Sequence, residues 1–351
     1  GSGCGCRSRK VPYPHLILPS LPLPADMFRK KTMYQVPDFW LDKPYYSLNA
    51  YFQKTLGEKC YKVALDAGLS CPNRDGRTGS GGCIFCSVGG SGDFAVSATT
   101  SCIETQLREG SDILHRKYTG SRFVAYFQAY TNTYGPVSYL REIYTAALIL
   151  PEVAGISIAT RPDCLGPEVL SLLAELKERF PGKFIWIELG LQTMHEHTAV
   201  FIRRGYPLPV FEEAMVNLQA LSLPVIVHVI LGLPFETAED MYATTRYLNG
   251  FSPFGIKFQL LHILKNTALG DMYTRGELPG FTVLSKEEYM DILIRNLELL
   301  SPETVVHRVT GDGARKDLIA PLWSLQKRDV LNTLHRTMRE RQTYQGMLYE
   351  P

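Results

Sequence analysis

Three cysteines in one polar loop are the residues of this chain whose types and spacing are best suited to chemistry. Cys71, Cys83 and Cys86 have the spacing C-x11-C-x2-C, and the segment between the first two is rich in Gly, Arg, Asp and Asn. Because glycine and polar residues at this density exclude a helix or a core strand, the loop is expected to wrap around a bound group. Clustered thiolates favour an iron–sulfur cluster or a zinc ion as that group.

A structural zinc site would need a fourth thiolate, and Cys60 is the nearest candidate. The strand-like segment KVALDA separates Cys60 from the loop. A strand of this length spans roughly 20 Å, which places Cys60 at its far end. We therefore predict that Cys60, Cys102 and Cys164 are buried structural residues. Three ligands remain, and a cubane cluster held by three thiolates has one iron open to a substrate or cosubstrate.

Composition limits the class of protein. The 351 residues are 45% hydrophobic and 21% charged, which is ample for a large core, and the net charge of +2 neither requires nor excludes a nucleic-acid partner. Eight cysteines without a secretion signal favour metal binding in a reducing, cytoplasmic setting. No apolar run is long enough to span a membrane. Residues 1–32, with five prolines in VPYPHLILPSLPLP, are predicted to be a flexible leader, and Met27 and Met33 are possible starts.

Strand-like and helix-like segments alternate behind the loop. Runs rich in β-branched and aromatic residues predict six strands, at 62–67, 122–130, 153–160, 183–191, 223–233 and 255–264. Periodic apolar residues predict helices between them, at 102–118, 137–150, 168–179, 208–221, 237–250 and 285–300. This alternation indicates an α/β fold with a parallel sheet, either open and doubly wound or closed towards a barrel. We favour a partial (β/α)6 TIM-like barrel over residues 33–300, followed by an extension at 301–351.

Polar side chains cluster where the predicted strands end, which in a parallel barrel is the active-site face. These residues are Gln128, Asn132, Arg161, Glu188, Gln192, Gly232, His262 and Lys265. His262 and Lys265 follow the sixth strand and are the candidates for a substrate pocket. His228 lies within an apolar strand and is either an interior residue or a ligand. The segment 327–341 contains five Lys/Arg residues and two acidic residues, which predicts a solvated helix face or a phosphate-contacting surface.

The loop and its setting resemble a known family. A three-cysteine loop after the first strand of a partial barrel, with Phe85 directly before the last cysteine, resembles the radical S-adenosylmethionine (SAM) enzymes. Their usual spacing is C-x3-C-x2-C, and the longer gap here resembles the branch of the Elongator catalytic subunit. The chain from about residue 34 to 332 is similar to the YhcC/YtqA (MnmL-type) family in the joint order of its motifs, DAGLSCPNRDGRTGSGGCIFC, FQAYTNTYGP, ATRPDCL, ELGLQT, RRGY, ILGLPFE, LLHILKNT and VTGDGARKDLIAPLW.

The resemblance implies the cofactors and the reaction. Cys71, Cys83 and Cys86 would ligate a [4Fe–4S] cluster, and SAM would bind the fourth iron through its amino and carboxylate groups. An electron from a donor such as flavodoxin or ferredoxin would cleave SAM to a 5′-deoxyadenosyl radical, which abstracts hydrogen from the substrate. The implied substrate is tRNA, whose wobble carboxymethylaminomethyluridine becomes aminomethyluridine. The alternatives are a radical SAM enzyme for a small molecule or peptide, and a non-catalytic, zinc-stabilised nucleic-acid-binding protein.

The resemblance also implies a set of SAM-binding residues. They are Phe85, Gln128, Asn132, Arg161, Glu188, Gln192, Arg204 and Gly232. Gln128 or Asn132 stands where the family often has a Gly-Gly-Glu type motif for the SAM amino group. Arg161 is a candidate for the methionyl carboxylate. Glu188 would contact the ribose or methionine end of SAM, or alternatively would pair with Arg161 or Arg204. In GLPFE, Phe235 occupies a position where related chains commonly have glycine.

Overall fold

A computed structural model describes residues 36–87, 89–90, 102–115, 120–311 and 315–351. The predicted leader at 1–32 lies outside the described residues. Within the part of the chain that is described, no helix is long and apolar enough to cross a membrane.

Seven parallel strands form the central sheet. In their spatial order they are β1 (Tyr61–Leu65), β2 (Phe123–Phe127), β3 (Val153–Thr160), β4 (Phe184–Gln192), β5 (Val225–Leu231), β6 (Gly255–Leu260) and β8 (Val305–Arg308). The sheet is curled into a partial barrel, which confirms the predicted α/β class. The count of six strands was wrong, because β8 pairs with β6 beyond residue 300. At four residues, β8 is too short to show a strand pattern in the sequence.

Two short strands form a separate antiparallel pair, β7 (Ile263–Leu264) with β9 (Leu318–Ala320). This pair joins the segment after β6 to the C-terminal region. The extension predicted at 301–351 therefore supplies one strand to the barrel and one to this pair.

The described part of the chain contains ten α-helices. They are α1 (Leu48–Leu56), α2 (Ile103–His115), α3 (Val137–Leu148), α4 (Pro167–Arg179), α5 (Glu196–Phe201), α6 (Leu208–Ala220), α7 (Ala238–Asn249), α8 (Ala268–Thr274), α9 (Lys286–Leu299) and α10 (Lys327–Glu340). The sequence explains their starts: Thr237 with Asp240 and Ser285 with Glu288 form capping boxes at α7 and α9. The prediction missed α1, α5 and α8.

Aromatic residues close the amino-terminal end of the barrel. Phe52 of α1 stacks on Trp186 of β4 with ring centroids 5.8 Å apart, and Tyr51 lies edge-on to Phe254 at 5.0 Å. Cys60 is buried in the same cluster at 7% exposure, and burial raises the pKa of its thiol to about 12. Since β1 separates it from the cysteine loop, Cys60 is a structural residue as predicted. The open end of the barrel is the carboxyl end.

The remaining two cysteines differ in their surroundings. Cys164 is half-buried, and burial raises the pKa of its thiol to about 12. Cys102 is exposed, which contradicts the prediction of burial. It directly precedes α2, and its Sγ lies 3.3 Å from Thr105 Oγ1 at the surface.

Candidate active site

The long gap between the first two cysteines folds back on itself as a small hairpin. Asp75 and Ser80 form an antiparallel bridge, and Gly76 N donates to Gly79 O at 3.1 Å. At the base of the hairpin, Gly82 N donates to Asn73 O at 2.8 Å. The eleven intervening residues therefore close on themselves, and the cysteines on either side line one cavity.

Side chains from the loop hold it against the barrel. Asn73 Nδ2 donates to Arg203 O at 2.6 Å and lies 3.5 Å from Cys83 Sγ. The Arg74 guanidinium donates to Ser87 O and lies 5.4 Å from the ring centroid of Tyr130. The loop thereby gains fixed contacts both with the turn after α5 and with its own carboxyl end.

A cleft runs from the three cysteines to the concave face of the sheet. Its first part is an open cavity of about 900 Å³ that contains Cys71, Cys83 and Cys86. A second part of similar volume continues towards His262 and shares walls with the first. The shared residues are Phe85, Cys86, Gln128, Gln192, His228, Gln259 and Arg308. We refer to both parts together as the cleft.

Most of the predicted site residues line this cleft. They are Phe85, Gln128, Arg161, Glu188, Gln192, Arg204 and His262, in addition to the three cysteines. Burial lowers the pKa of His262 to about 4, so its imidazole is neutral at pH 7. Asn132, Gly232 and Lys265 lie outside the cleft.

The side chain of Asn132 bonds to the backbone and does not point into the cleft, where a contact with SAM was predicted. It is fully buried, and its Nδ2 donates at 3.0 Å to Phe127 O at the end of β2 and to Ala159 O near the end of β3. The side-chain amide thus ties two neighbouring strands together. A strand-end position alone does not reveal whether a side chain points into the barrel or back onto the backbone.

Gly232 and Lys265 lie at other places on the molecule, away from the cleft. Gly232 has φ +86°, and a Cβ at this position would lie 2.9 Å from Leu284 Cδ1, so a tight turn and close packing explain the glycine. It lines a different cavity, beside Phe235 and Phe281. Lys265 is exposed, and its Nζ donates to Lys316 O at 3.1 Å.

Glu188 is the centre of a buried ionic network on the concave face, with its side chain fully shielded from solvent. Its Oε1 accepts from Lys62 Nζ at 2.5 Å and from Ser157 Oγ at 2.6 Å. Its Oε2 accepts from His228 Nε2 at 2.6 Å and from Lys257 Nζ. These contacts occupy about four acceptor positions of the carboxylate, and the contact of Glu188 with SAM stays a prediction. The ionic partners of Glu188 are Lys62, His228 and Lys257, so the alternative pairing with Arg161 or Arg204 was wrong.

Burial and the two lysines determine the protonation states in this network. Burial alone would raise the pKa of Glu188, but Lys257 and Lys62 hold it well below its ordinary value. Burial, followed by the Lys257 charge, lowers the pKa of His228 to about 4. His228 is therefore neutral at pH 7 and donates through Nε2, which leaves Nδ1 to accept from Gln259 Nε2 at 3.3 Å. His228 is an interior residue that also faces the cleft.

Two arginines stabilise the loop beside the cysteines. Arg161 forms a bidentate pair with Asp163, with N···O distances of 2.9 and 2.8 Å, and lies 5.0 Å from the ring centroid of Tyr206. Arg204 is 1% exposed and donates to Leu191 O and Thr193 O at 3.1 and 2.8 Å. Arg204 is thus bound to the backbone, whereas Arg161 keeps N–H groups at the wall of the cleft.

The three thiols match the donor set of an iron–sulfur cluster. A hydrogen bond from Cys86 lowers the pKa of Cys83 to about 7, and Arg161 and Arg74 add to this effect. Among the described residues, no group of three or more His, Cys, Asp or Glu side chains is arranged to hold one metal ion. A three-thiol donor set at the mouth of a cleft suits a cubane cluster with one open iron.

Sequence reasoning missed several residues in the cleft and in the ionic network beneath it. Lys62, Tyr126, Ser157 and Lys257 belong to the network around Glu188, and Tyr206 lies against both arginines. A signal was present in β6, where Lys257 and Gln259 interrupt an apolar strand at alternate positions. Alternation of this kind indicates that one face of the strand lines a polar space.

Sequence comparison identifies the family. Residues 74–248 match the radical SAM superfamily, and residues 253–340 match the radical SAM C-terminal domain. The chain belongs to the radical SAM superfamily and is a radical SAM enzyme, as its resemblance implied. Its cofactors are therefore a [4Fe–4S] cluster and SAM. When bound, they supply one-electron cleavage of the SAM sulfonium and a radical that abstracts hydrogen, and Cys71, Cys83 and Cys86 are the residues that fit the cluster.

The chain is also similar to individual proteins and to a solved structure. The protein YtqA of Bacillus subtilis (strain 168) is 42% identical over 309 residues, which cover 88% of this chain and 94% of YtqA. The protein YhcC of Escherichia coli (strain K12) is 36% identical over 267 residues, which cover 76% of this chain and 83% of YhcC. The solved structure of archaeal Methanocaldococcus infernus Elp3 shares the fold, with a TM-score of 0.61 and 15% identity over 82% of this chain and 64% of that chain.

Proposed function

We propose that this radical SAM enzyme acts on tRNA and removes the carboxymethyl part of wobble carboxymethylaminomethyluridine to leave aminomethyluridine. The motif order that resembles the MnmL-type family supports this substrate. A small one-electron donor such as flavodoxin or ferredoxin is the reductant that we infer.

The observation that carries the proposal is the charge of the first part of the cleft. Its described lining includes five cationic side chains and one carboxylate, Glu188. The cations are Arg74, Arg161, Arg204, Lys257 and Arg308. Arg161 and Arg204 are paired with Asp163 and Glu196 outside this lining, which reduces the excess. The remaining positive charge attracts anionic substrates, and nucleic acid presents both phosphates and, in this nucleoside, a carboxylate.

The C-terminal helix adds a second basic surface. The five Lys/Arg residues of the segment 327–341 are exposed, and Lys327 lines a third cavity together with Arg308. Asp329 is paired with Lys286 at 2.5 Å, whereas Arg336 and Arg341 are paired with Glu340 and Asp291, so only part of the positive charge on this segment is neutralised. This arrangement supports the phosphate-contacting alternative for α10, which stays a prediction.

Nucleoside mass spectrometry of tRNA tests the proposed function. In a strain that lacks the protein, we expect carboxymethylaminomethyluridine to accumulate at the wobble position and aminomethyluridine to disappear. Expression of the wild-type chain should restore the product, whereas a Cys83→Ala chain should not. The reconstituted enzyme with SAM and a reductant should carry out the same conversion on tRNA from the deletion strain. An unchanged wobble-uridine profile would remove the tRNA substrate and leave a small molecule or peptide.

A further inference from the structure

The floor of the cleft contains more positive than negative charge. Lys62 and Lys257 both contact the single carboxylate of Glu188, so this described set has two ammonium groups for one anion. His228 adds no charge because its pKa is lowered to about 4. Arg308 is the register partner of Lys257 on the neighbouring strand and contributes a further cation.

The two lysines differ in what they face. Lys62 donates to Ser157 and Glu188 and is not part of the cleft wall. Lys257 lines the cleft, where its Nζ donates to Glu188 and to Tyr126 Oη at 3.0 Å. These contacts within the described residues use two of its three N–H groups. The third can serve a ligand in the cleft.

A purely structural role does not explain why the second lysine is present. Lys62 alone would neutralise Glu188, and each further buried ammonium loses its hydration. Burial lowers the pKa of Lys257 to about 7, because the charged ammonium loses its hydration in the barrel. An anion bound above Lys257 would offset the cost, so the arrangement favours an anionic ligand.

We propose that Lys257, with Arg308 beside it, binds a carboxylate group of the substrate at the floor of the cleft. The identity of that group rests on the proposed function, in which it is the carboxylate of the carboxymethylaminomethyl side chain. The aminomethyl product lacks this group. The subsite would therefore distinguish substrate from product and weaken binding once the carboxymethyl part is removed.

Lys257 also predicts a pH dependence of binding. The charged or titratable groups facing it are Glu188, Tyr126, His228, Lys62 and Arg308, together with His307, all on other strands. A bound carboxylate favours the protonated ammonium. Affinity for a carboxylate ligand should therefore fall as pH rises above about 7, where the unliganded lysine loses its proton.

Binding of three anticodon stem-loops tests the subsite. The wobble position carries carboxymethylaminomethyluridine, its neutral carboxamide analogue or aminomethyluridine, and fluorescence anisotropy reports affinity. Lys257→Met should weaken binding of the carboxylated stem-loop about 10- to 100-fold, since a hydrogen-bonded charge pair is lost, and leave the other two unchanged. Glu188 keeps Lys62 in this variant, so we expect it to fold. Lys257→Arg should recover part of the preference.

A matched control separates this effect from general charge. Lys177→Met removes an exposed lysine on α4, whose Nζ contacts only the carbonyls of Leu221 and Ser222 among the described residues. It should not change the preference for the carboxylate. If Lys257→Met lowers the melting temperature and weakens all three stem-loops equally, the lysine is structural and the proposal is overturned.

A second experiment works without RNA and separates this inference from the proposed function. Reductive methylation of residue 257, followed by peptide mass spectrometry, should be slowed by acetate but not by acetamide. Protection by acetate with no discrimination among the stem-loops would retain the anion subsite and remove the tRNA substrate. Equal protection by both compounds, with nucleoside conversion intact, would overturn the subsite and leave the proposed function standing.

Discussion

Cys83→Ala is expected to abolish incorporation of the cluster. The anaerobically reconstituted wild-type protein should be brown, with about four irons and four sulfides per chain, and the variant should be colourless. The reason is structural: Cys83 is the middle ligand, its Sγ lies 3.5 Å from Asn73 Nδ2, and among the described cysteines only the other two ligands, Cys71 and Cys86, also line the cleft. Iron and sulfide analysis with visible absorption spectra provides the measurement.

Two other cysteines supply the controls. Cys102→Ala removes an exposed thiol at the start of α2 and should leave iron content unchanged. Cys60→Ala should also retain the cluster, with some loss of stability, because the thiol is packed among aromatic residues at the opposite end of β1. Stoichiometric zinc without visible absorption in the wild-type protein would contradict the cluster and revive the zinc alternative.

Glu188→Gln is expected to lower the free energy of unfolding by about 3–5 kcal/mol, because breaking a buried ion pair leaves an uncompensated charge. Here two buried ammonium groups lose their only shared anion among the described residues. Urea denaturation of wild type and variant at pH 7 measures the difference. A loss under about 1 kcal/mol would show that the network does not depend on the carboxylate charge.

A surface pair provides the matched control. Glu175 pairs with Arg141, and both side chains are 40% or more exposed. Glu175→Gln removes the same charge by the same substitution and should leave the free energy of unfolding almost unchanged, since water screens exposed pairs.

The pH dependence of the Glu188→Gln effect has a definite sign. The folded-state pKa of Glu188 lies well below its ordinary value of 4.5. Such a group contributes stability that is fully present above the unfolded pKa and is lost as pH falls through the folded pKa. The difference between wild type and variant should therefore be large at pH 6 to 7 and shrink progressively below about pH 4.5.

Regular periodicity explains which elements could be predicted. The first six strands of the sheet were found within a few residues of their bounds, and β3 at Val153–Thr160 was predicted without error. These strands are apolar runs with clear breaks on both sides. In contrast, β8 is four residues long and contains His307 and Arg308, and the nine-residue α1 has two aromatics that plug the barrel. Both depend on tertiary packing more than on local pattern.

The residues of the candidate site were also predictable only where chain position determines where they lie. Chain position alone located the cysteines and the strand ends, because parallel strands bring their carboxyl ends to one face. It did not give side-chain direction, so Asn132 was placed in the cleft although its amide turns back to the backbone. The ionic network around Glu188 could not be predicted either, since its contacts depend on the register between neighbouring strands. One example is the alignment of His228 on β5 with Lys257 on β6.

The hairpin between the first two cysteines has a consequence for how such proteins are recognised. Gly82 N bonds to Asn73 O, so the two ends of the insert meet and everything between them projects as a side branch. Distance along the chain then says little about distance between ligands. Insertions of other lengths between the two anchor residues, Asn73 and Gly82, would leave the positions of the three thiols unchanged. Genome searches that demand a fixed interval would overlook such enzymes, whereas searches that allow any hairpin between the anchors would retrieve them.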